Sequence, residues 1–249
     1  MYQPLRRART VVLAFGHIAV FCSFAALTAC QAPAAEFQPA ANTATPAELG
    51  NESLAPTLLA AARAGDMQQV RAALAAGAPV NVQDAQGNSP LLLATMGNHI
   101  EVARSLLLDG ANPNLKNAQS DSAYLLAGAQ GRLEILRMTL SYGADLKSLN
   151  RFGGTALIPA CERGHVEAVK ALIAAGVAVD HVNRLGWACL LEAIVLADGG
   201  PSQQNIVAQL IAARANLNLA DRQGMTPLAH ARERQQLEIV RLLEAAGAR

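Results

Sequence analysis

Aromatic residues are scarce in this sequence of 249 residues, which has one Trp, three Tyr and five Phe. Alanine is abundant instead, so a core must be filled largely by small side chains. Small side chains let helices pack closely side by side, whereas a β-sandwich core is built from bulkier residues. The composition therefore favours an all-α fold.

The sequence also lacks the short motifs that carry most enzyme chemistry. It has no nucleophile elbow, no phosphate-binding loop, no paired-cysteine zinc spacing and no His-Glu-x-x-His run. Four histidines follow the N-terminal segment, and none is grouped with an acid and a nucleophile: His99, His165, His181 and His230. We therefore expect no catalytic residue, no metal site and no cofactor, and a protein that is not an enzyme.

No excess of positive charge is present. The chain has 20 basic and 19 acidic residues, a net charge of +1. Removing Arg6, Arg7 and Arg9 with the segment described next leaves 17 basic against 19 acidic residues, a net charge of −2. Nucleic-acid binding needs a strong positive footprint, so we expect no nucleic-acid partner.

The first 29 residues have the pattern of an export signal. Three arginines precede an almost wholly apolar run over residues 11–26, and Leu27-Thr28-Ala29-Cys30 follows it. This order resembles a bacterial lipoprotein signal peptide, whose lipobox ends in the cysteine that receives the lipid. The resemblance implies that Cys30 is the first mature residue and is lipidated. The alternative is an ordinary secretory signal that is cut after Ala34 and releases a soluble periplasmic protein.

The residues after the lipobox indicate a location and a spacer. Gln31 stands where related lipoproteins retained in the inner membrane carry Asp, so the resemblance implies the outer membrane, facing the periplasm. Residues 30–53 are rich in Ala, Pro and polar residues and cannot bury a core. We expect a flexible tether there, with the lipid as the protein's only membrane attachment.

Glycine recurs at a fixed interval along the rest of the chain. Gly77, Gly110, Gly143 and Gly176 are 33 residues apart. A second series has the same interval, with serine replacing glycine once: Gly87, Ser120, Gly153 and Gly186. A period of this length predicts stacked repeats, in which each unit contacts only its neighbours.

The repeated segments share a pattern. The unit at Gly87 reads GNSPLLLATMGNHIEVARSLLLDGANPNLKNAQ, and the last, at Gly224, reads GMTPLAHARERQQLEIVRLLEAAGAR. They resemble the ankyrin repeat, over residues 54–249. The resemblance implies an all-α solenoid of six helix-turn-helix repeats joined by β-hairpin loops. The repeats begin near residues 54, 87, 120, 153, 186 and 224, and are called units one to six below.

Positions within the repeat predict the core. An alanine recurs where the helices must approach closely: Ala61, Ala94, Ala127, Ala160, Ala193 and Ala231. Three residues earlier stand Leu58, Leu91, Tyr124, Leu157, Leu190 and Leu228. We expect these positions, and Leu74, Leu107, Leu140, Ile173 and Ile211 near the end of the second helix, to form one continuous core.

Most polar positions of the repeat have structural interpretations. Ser89-Pro90 and Thr226-Pro227 are typical of helix starts. His99 and His165 hold a position that braces the loop between the helices in the resembling repeats. Asparagines that suit turns follow the helix-ending glycines: Asn81, Asn114 and Asn218.

Unit five departs from the pattern in two places. The interval from unit five to unit six is 38 residues, and turn-forming residues near 198–202 indicate a longer loop between its helices. Arg214 stands where glycine should end the second helix, which weakens the helix end.

Two cysteines, Cys161 and Cys189, lie in the repeats. An oxidising periplasm would allow a disulfide. Their places within the repeat differ by about five positions, so we expect small core residues instead of a close pair.

Arginine, aromatic and large apolar residues concentrate at the hairpin tips and first-helix ends of the last three units. Ankyrin-like stacks bind partners through these positions and the concave face, and such residue types anchor interfaces. We predict a binding strip for a protein partner with acidic character, formed by Arg151, Phe152, Arg163, Arg184, Leu185, Trp187, Arg222, Met225 and Arg234.

The sequence thus predicts a non-catalytic protein–protein interaction module, an adaptor or scaffold exported to the bacterial cell envelope. The alternative is a periplasmic immunity or inhibitor protein that neutralises a toxin or an enzyme.

Overall fold

The structure is a computed structural model that describes the backbone of residues 46–249 and the side chains of residues 54–249. The predicted signal peptide, Cys30 and the tether up to residue 45 lie outside these residues. Over residues 46–249 the chain forms twelve helices and no strand: α1 (Pro46–Ala64), α2 (Met67–Ala75), α3 (Pro90–Met96), α4 (Ile100–Leu108), α5 (Ala123–Ala129), α6 (Leu133–Ser141), α7 (Leu157–Glu162), α8 (Val166–Ala175), α9 (Cys189–Val195), α10 (Pro201–Ala212), α11 (Pro227–Glu233) and α12 (Leu237–Ala245).

The helices are arranged as six pairs in two layers. Each odd-numbered helix packs on the even-numbered helix that follows it, which makes one unit. The odd-numbered first helices also pack on one another from unit to unit, as do the even-numbered second helices. This confirms the all-α solenoid of six units. None of the helices within residues 46–249 is both long and apolar enough to span a lipid bilayer.

The N-terminal unit is longer than expected. Helix α1 begins at Pro46 and therefore includes the last eight residues of the segment 30–53 that the sequence predicts to be a tether. Proline fits the first turn of a helix, where its missing N–H group costs no hydrogen bond.

The recurring alanines lie in the middle of the core. Ala61 is 2% exposed, and the other five are fully buried. The large residues three positions earlier are also buried, which confirms both predicted series. Of the second-helix residues predicted for the core, only Leu107 is buried, and the other four pack at the margin of the core. Other residues of the second helices fill the centre of that layer, such as Leu106, Leu136 and Leu172, which are fully buried.

Each hairpin between units is a tight turn held by one Asp or Asn. In the hairpin before α7, Asn150 Oδ1 accepts hydrogen bonds from the backbone N–H groups of Phe152 and Gly154 at 2.9 and 3.0 Å. The Asn150 N–H donates to the Gly154 carbonyl at 2.9 Å. The same side-chain pattern recurs at Asp84, Asn117, Asn183 and Asp221. The loops are therefore hairpin turns without the strands that the word β-hairpin implies.

Polar side chains also tie neighbouring units together. The amide of Asn114 donates to the Gly143 carbonyl at 2.9 Å, and its oxygen accepts from the Asp145 N–H at 2.8 Å. Asn81 bridges units one and two in the same way. These asparagines do more than suit a turn, because they join successive units.

The two cysteines form a disulfide, so the expectation that they stay apart is wrong. Their Cα atoms are 5.6 Å apart, within the usual range for a disulfide. Both residues are fully buried, Cys161 in the last turn of α7 and Cys189 in the first turn of α9. Consecutive first helices are not stacked in register. One unit earlier, Gly128 and Ala156 hold the same two positions, and a Cβ on Gly128 would lie 2.9 Å from that of Ala156.

The extra residues of unit five are shared between a loop and a helix. Five residues separate α9 from α10, against three between the helices of units two, three, four and six. Helix α10 has 12 residues, whereas the other second helices have nine or ten. The prediction of a longer loop is therefore only partly right. At the other end of α10, Arg214 adopts the left-handed conformation of the glycine it replaces, with φ +60°.

The histidines of the repeats bond to their own chain. His99 Nε2 is 3.1 Å from the Arg63 carbonyl oxygen, so it braces the neighbouring loop as predicted. His165 packs against Gly131 and makes a backbone hydrogen bond at Ala129. His181 Nε2 is 2.7 Å from the Gly153 carbonyl oxygen.

Candidate partner-binding pocket

A pocket of about 590 Å³ opens where two hairpins meet the first helices of units three, four and five. We call it the first-helix pocket. Helices α5, α7 and α9 form its base, and the hairpins before α7 and α9 form its sides. Its lining consists of Asp121, Leu126, Ala129, Gln130, Asn150, Arg151, Phe152, Gly154, Ile158, Pro159, Glu162, Arg163, Asn183, Leu185, Glu192 and Leu196.

Three large apolar side chains are exposed in this pocket. Phe152 and Leu185 are each 54% exposed and Leu196 is 51% exposed. Eight large apolar residues are exposed among the side chains that the structure describes, and these three line one pocket. Clustered exposed apolar surface marks a binding site more reliably than scattered residues do. The sequence predicted Phe152 and Leu185 but missed Leu196, which follows the last turn of α9.

Arginines form part of the pocket and are held in place by the chain itself. Arg151 lies 3.7 Å from Asp121, and its guanidinium carbon is 4.8 Å from the centre of the Phe152 ring. Arg163 donates to the Ala129 carbonyl at 2.8 Å. Burial raises the pKa of Asp121, an effect that Arg151 and Arg163 oppose. These contacts fix the orientation of the arginines before any partner binds.

The remaining predicted residues lie outside this pocket. Arg184 donates to the Arg151 carbonyl at 3.0 Å, and Arg222 donates in turn to the Arg184 carbonyl. Trp187 and Met225 are half-buried, and Arg234 is exposed. The structure thus gathers four of the nine predicted residues, Arg151, Phe152, Arg163 and Leu185, in the first-helix pocket. Arg184 and Arg222 help to stack the hairpins.

A second depression lies along the hairpins. It has about the same size, 580 Å³, and shares three residues with the first-helix pocket, namely Asn150, Arg151 and Asn183. Two of its basic groups, Lys116 and Arg184, donate to backbone carbonyls, Lys116 Nζ to Leu149 at 2.8 Å. We therefore interpret its side chains as part of the ladder that stacks the hairpins.

A buried glutamate lines the first-helix pocket and was missed by sequence reasoning. Glu192, on α9, is only 3% exposed. The Asn183 side-chain amide donates to Glu192 Oε1 at 2.7 Å, and Oε2 is buried without a hydrogen-bond partner among residues 54–249. Burial raises the pKa of Glu192 to about 7; the Asn183 hydrogen bond opposes this rise, and the charge of Glu162 adds to it.

The repeat pattern contained a signal for this residue. The equivalent position is Leu93 in unit two, Leu126 in unit three and Pro159 in unit four. A carboxyl group in the apolar run CLLEAIV is therefore not required by the fold of the unit. This departure from the repeat marks Glu192 as a candidate functional residue.

Unit six has a histidine at the equivalent position. His230 Nε2 is 2.8 Å from Asp221 Oδ2, and both side chains are largely buried. The hydrogen bond from His230, followed by those from the hairpin backbone, lowers the pKa of Asp221. The pair joins the hairpin before α11 to that helix, as Asn183 and Glu192 do for α9. His230 is thus paired with an acid, which the sequence pattern did not indicate. Among residues 54–249 no cluster of three or more His, Cys, Asp or Glu side chains is arranged to hold a metal ion.

Comparison with known proteins agrees with this architecture. Profiles described as ankyrin repeats match residues 58–107 and 124–199. The crystal structure of an ankyrin repeat domain from Acinetobacter baumannii AYE is 55% identical over 77% of this chain and 98% of that one, with a TM-score of 0.75. A second ankyrin repeat protein of known structure is 39% identical over 78% of this chain and 98% of its own, with a TM-score of 0.74.

A shorter match is found to a curated protein of Escherichia coli K12, the ankyrin repeat protein YahD. It is 58% identical over 59 residues, which are 24% of this chain and 29% of YahD. The two solved structures, in contrast, are covered almost completely. With its six stacked helix pairs, the chain belongs to the ankyrin-repeat family, whose repeats are protein–protein interaction modules.

Proposed function

We propose that this protein is an adaptor of the bacterial cell envelope that binds a protein partner through the first-helix pocket. The observation that carries this proposal is the exposure of Phe152, Leu185 and Leu196 together beside two oriented arginines. Aromatic and arginine side chains are enriched among the residues that dominate binding energy at protein interfaces, and clustered exposed apolar side chains mark interaction sites. Their cost of ordering is reduced here, because Arg151 and Arg163 are already bonded to their own chain.

The disulfide supports export to an oxidising compartment. Disulfides form and persist in the periplasm and are rare in the bacterial cytosol, where thiols are kept reduced. Cys161 and Cys189 are placed for a disulfide at the centre of the stack. This agrees with the expected signal peptide, and we propose the outer membrane as the location, with lipidated Cys30 as the anchor.

The polar side chains that line the pocket are carboxylates, amides and guanidinium groups, which suit the polar part of a protein interface. The prediction that the partner has acidic character depends on the arginines at the hairpin tips. Two of these arginines, Arg184 and Arg222, donate to neighbouring hairpins, so they give that prediction less support.

Affinity capture with matched variants tests the binding site. We expect the wild-type protein to retain a specific partner from envelope extracts, and the double variant Phe152→Ala, Leu185→Ala to lose it. Leu108→Ala is the control, because Leu108 is 69% exposed but lies at the end of α4, outside the pocket. Equal capture by the wild type and the double variant would exclude the first-helix pocket. If the partner is an enzyme and a 1:1 complex abolishes its activity, the protein is an inhibitor and the adaptor role is wrong.

Lipid labelling tests the location. Cells grown with radiolabelled palmitate should incorporate label into the wild-type protein, which should fractionate with the outer membrane. The variant Cys30→Ala should lose the label and leave the membrane fraction. An unlabelled wild-type protein in the soluble periplasmic fraction would support the ordinary secretory signal instead.

A further inference from the structure

The first-helix pocket has an unpaired acidic floor. Glu162 and Glu192 both line it, and among the described residues neither forms an ion pair with a basic side chain. Arg151 is beside Asp121, and Arg163 is bonded to the Ala129 carbonyl. Within residues 54–249, the two arginines of the pocket are thus engaged elsewhere, and neither is ion-paired with Glu162 or Glu192.

Glu192 is the less satisfied of the two. Its side chain is almost completely buried, and its Oε2 atom has no hydrogen-bond partner in the part of the chain that the structure describes. A buried carboxyl oxygen without a hydrogen bond is costly, and native structures rarely leave one without a reason. The fold does not require a carboxyl group there, since the equivalent residues of units two and three are Leu93 and Leu126. Such a group is explained if a ligand completes its hydrogen bonds.

Apolar side chains stand above this floor. Phe152, Leu185 and Leu196 are half-exposed and line the same pocket. An apolar wall that leads to a carboxylate matches the two parts of a lysine or arginine side chain. Its aliphatic stem packs on apolar surface, and its charged end donates several hydrogen bonds.

We propose that the first-helix pocket receives a lysine or arginine side chain of the partner protein, whose cationic end donates to Glu192 beside Glu162. The inference rests on the proposed function, because it names the chemistry of the partner's anchoring residue. The mutual effect of the two glutamates supports it. Burial and the charge of Glu162 raise the pKa of Glu192 to about 7, so a bound cation would relieve both effects. Binding near neutral pH should then release a proton.

Single amino-acid probes test this without a known partner. The probes are Nα-acetyl-lysine amide, Nα-acetyl-arginine amide and Nα-acetyl-norleucine amide, which has the four-carbon stem of lysine without the ammonium group. Each is titrated into the purified protein, expressed from the full sequence, while NMR follows the glutamate side-chain carboxyl carbons. The resonance of Glu192 is assigned by its loss in Glu192→Gln.

The two cationic probes should shift the Glu192 resonance and lower its pKa. Norleucine amide should bind about tenfold more weakly, the difference expected for one charge-assisted hydrogen bond. In Glu192→Gln, where the carboxyl resonance of Glu162 reports binding instead, this discrimination should disappear, whereas Glu101→Gln, which removes an exposed carboxylate on α4, should preserve it. Glu192→Leu serves as a second variant that the repeat itself shows to be compatible with the fold.

Three outcomes would overturn the inference: equal binding of lysine and norleucine amides, no binding of either cationic probe, or discrimination that survives in Glu192→Gln and Glu192→Leu. None of these would affect the capture experiment with Phe152 and Leu185. Failure of the basic anchor is therefore distinguishable from failure of the binding site.

Discussion

Glu192 should make the stability of the protein fall as the pH rises. Burial raises its pKa to about 7 in the folded chain, against an ordinary value of 4.5 in the unfolded chain. The folded state therefore holds a proton that the unfolded state releases between these two values. The associated stability is fully present below pH 4.5 and is lost as the pH rises through 7.

The size of the effect follows from the difference between the two pKa values. At about 1.4 kcal/mol per pKa unit, the penalty on folding reaches about 3 kcal/mol at pH 8, and it is already about 1 kcal/mol at pH 5. Glu192→Gln removes the titration, keeps an oxygen that accepts from Asn183 and changes the side-chain volume little. The difference in the free energy of unfolding between the variant and the wild type should therefore shift by about 2 kcal/mol in favour of the variant from pH 5 to pH 8.

Urea unfolding at both pH values measures this difference. Comparing the two proteins cancels the titration of all other groups, among them His165, whose pKa burial lowers, and Asp121, whose pKa burial raises. Glu101→Gln is the control and should show no pH-dependent difference from the wild type. If the difference in the free energy of unfolding between wild type and Glu192→Gln is the same at pH 5 and pH 8, Glu192 is not a buried carboxyl group with a raised pKa.

Three further predictions concern the stack itself. Replacing both Cys161 and Cys189 by alanine should lower the free energy of unfolding by about 3.5 kcal/mol, as expected for a 28-residue separation. The wild type unfolded by urea in the presence of a reductant should lose the same amount of stability. Unchanged urea midpoints would contradict the disulfide. Arg214→Gly should raise stability by about 1 kcal/mol in thermal unfolding because it relieves a positive φ, whereas Arg104→Gly inside α4 should lower it by a similar amount; a destabilised Arg214→Gly would be inconsistent with strain there. Asn114→Ala should cost about 2 kcal/mol in urea unfolding, because it removes two hydrogen bonds between units, and a loss below about 0.5 kcal/mol would show that solvent replaces them.

The repeat period allowed most of the fold to be predicted from sequence. Glycine at helix ends and alanine in the tightest contacts each have a local physical cause. Their recurrence therefore predicts the bounds of the units, the core residues and the ends of the helices. Ser89 and Thr226 cap their helices with hydrogen bonds of 3.2 and 3.3 Å, as their place before proline predicts. These features depend only on residues within one unit.

Contacts between units were harder to predict. If neighbouring units met at equal positions of the repeat, as the sequence prediction assumed, Cys161 and Cys189 would be kept apart. In the structure the last turn of one first helix contacts the start of the next first helix. Gly128 and Ala156 show the same offset in the preceding pair of units. The stagger of neighbouring helices is a property of packing and is not visible in the period of the sequence.

The candidate site was predicted in part for a related reason. Residue type alone indicated Phe152, Leu185, Arg151 and Arg163, and the structure brings these together. The same reasoning selected Arg184, whose donor is used by a neighbouring hairpin. Arg163 also donates to a neighbouring unit, at the Ala129 carbonyl, so the two arginines differ in whether they line the pocket, and this depends on the stacked geometry.

Photo-crosslinking in living cells tests most directly that the first-helix pocket is the binding site. A photoreactive amino acid is introduced at the position of Leu185 in the pocket or, in the control, at that of Leu108, which is similarly exposed on α4. Irradiation should give one discrete adduct with a partner protein from position 185 and none from position 108. Adducts of equal yield from both positions, or from position 108 alone, would contradict the account.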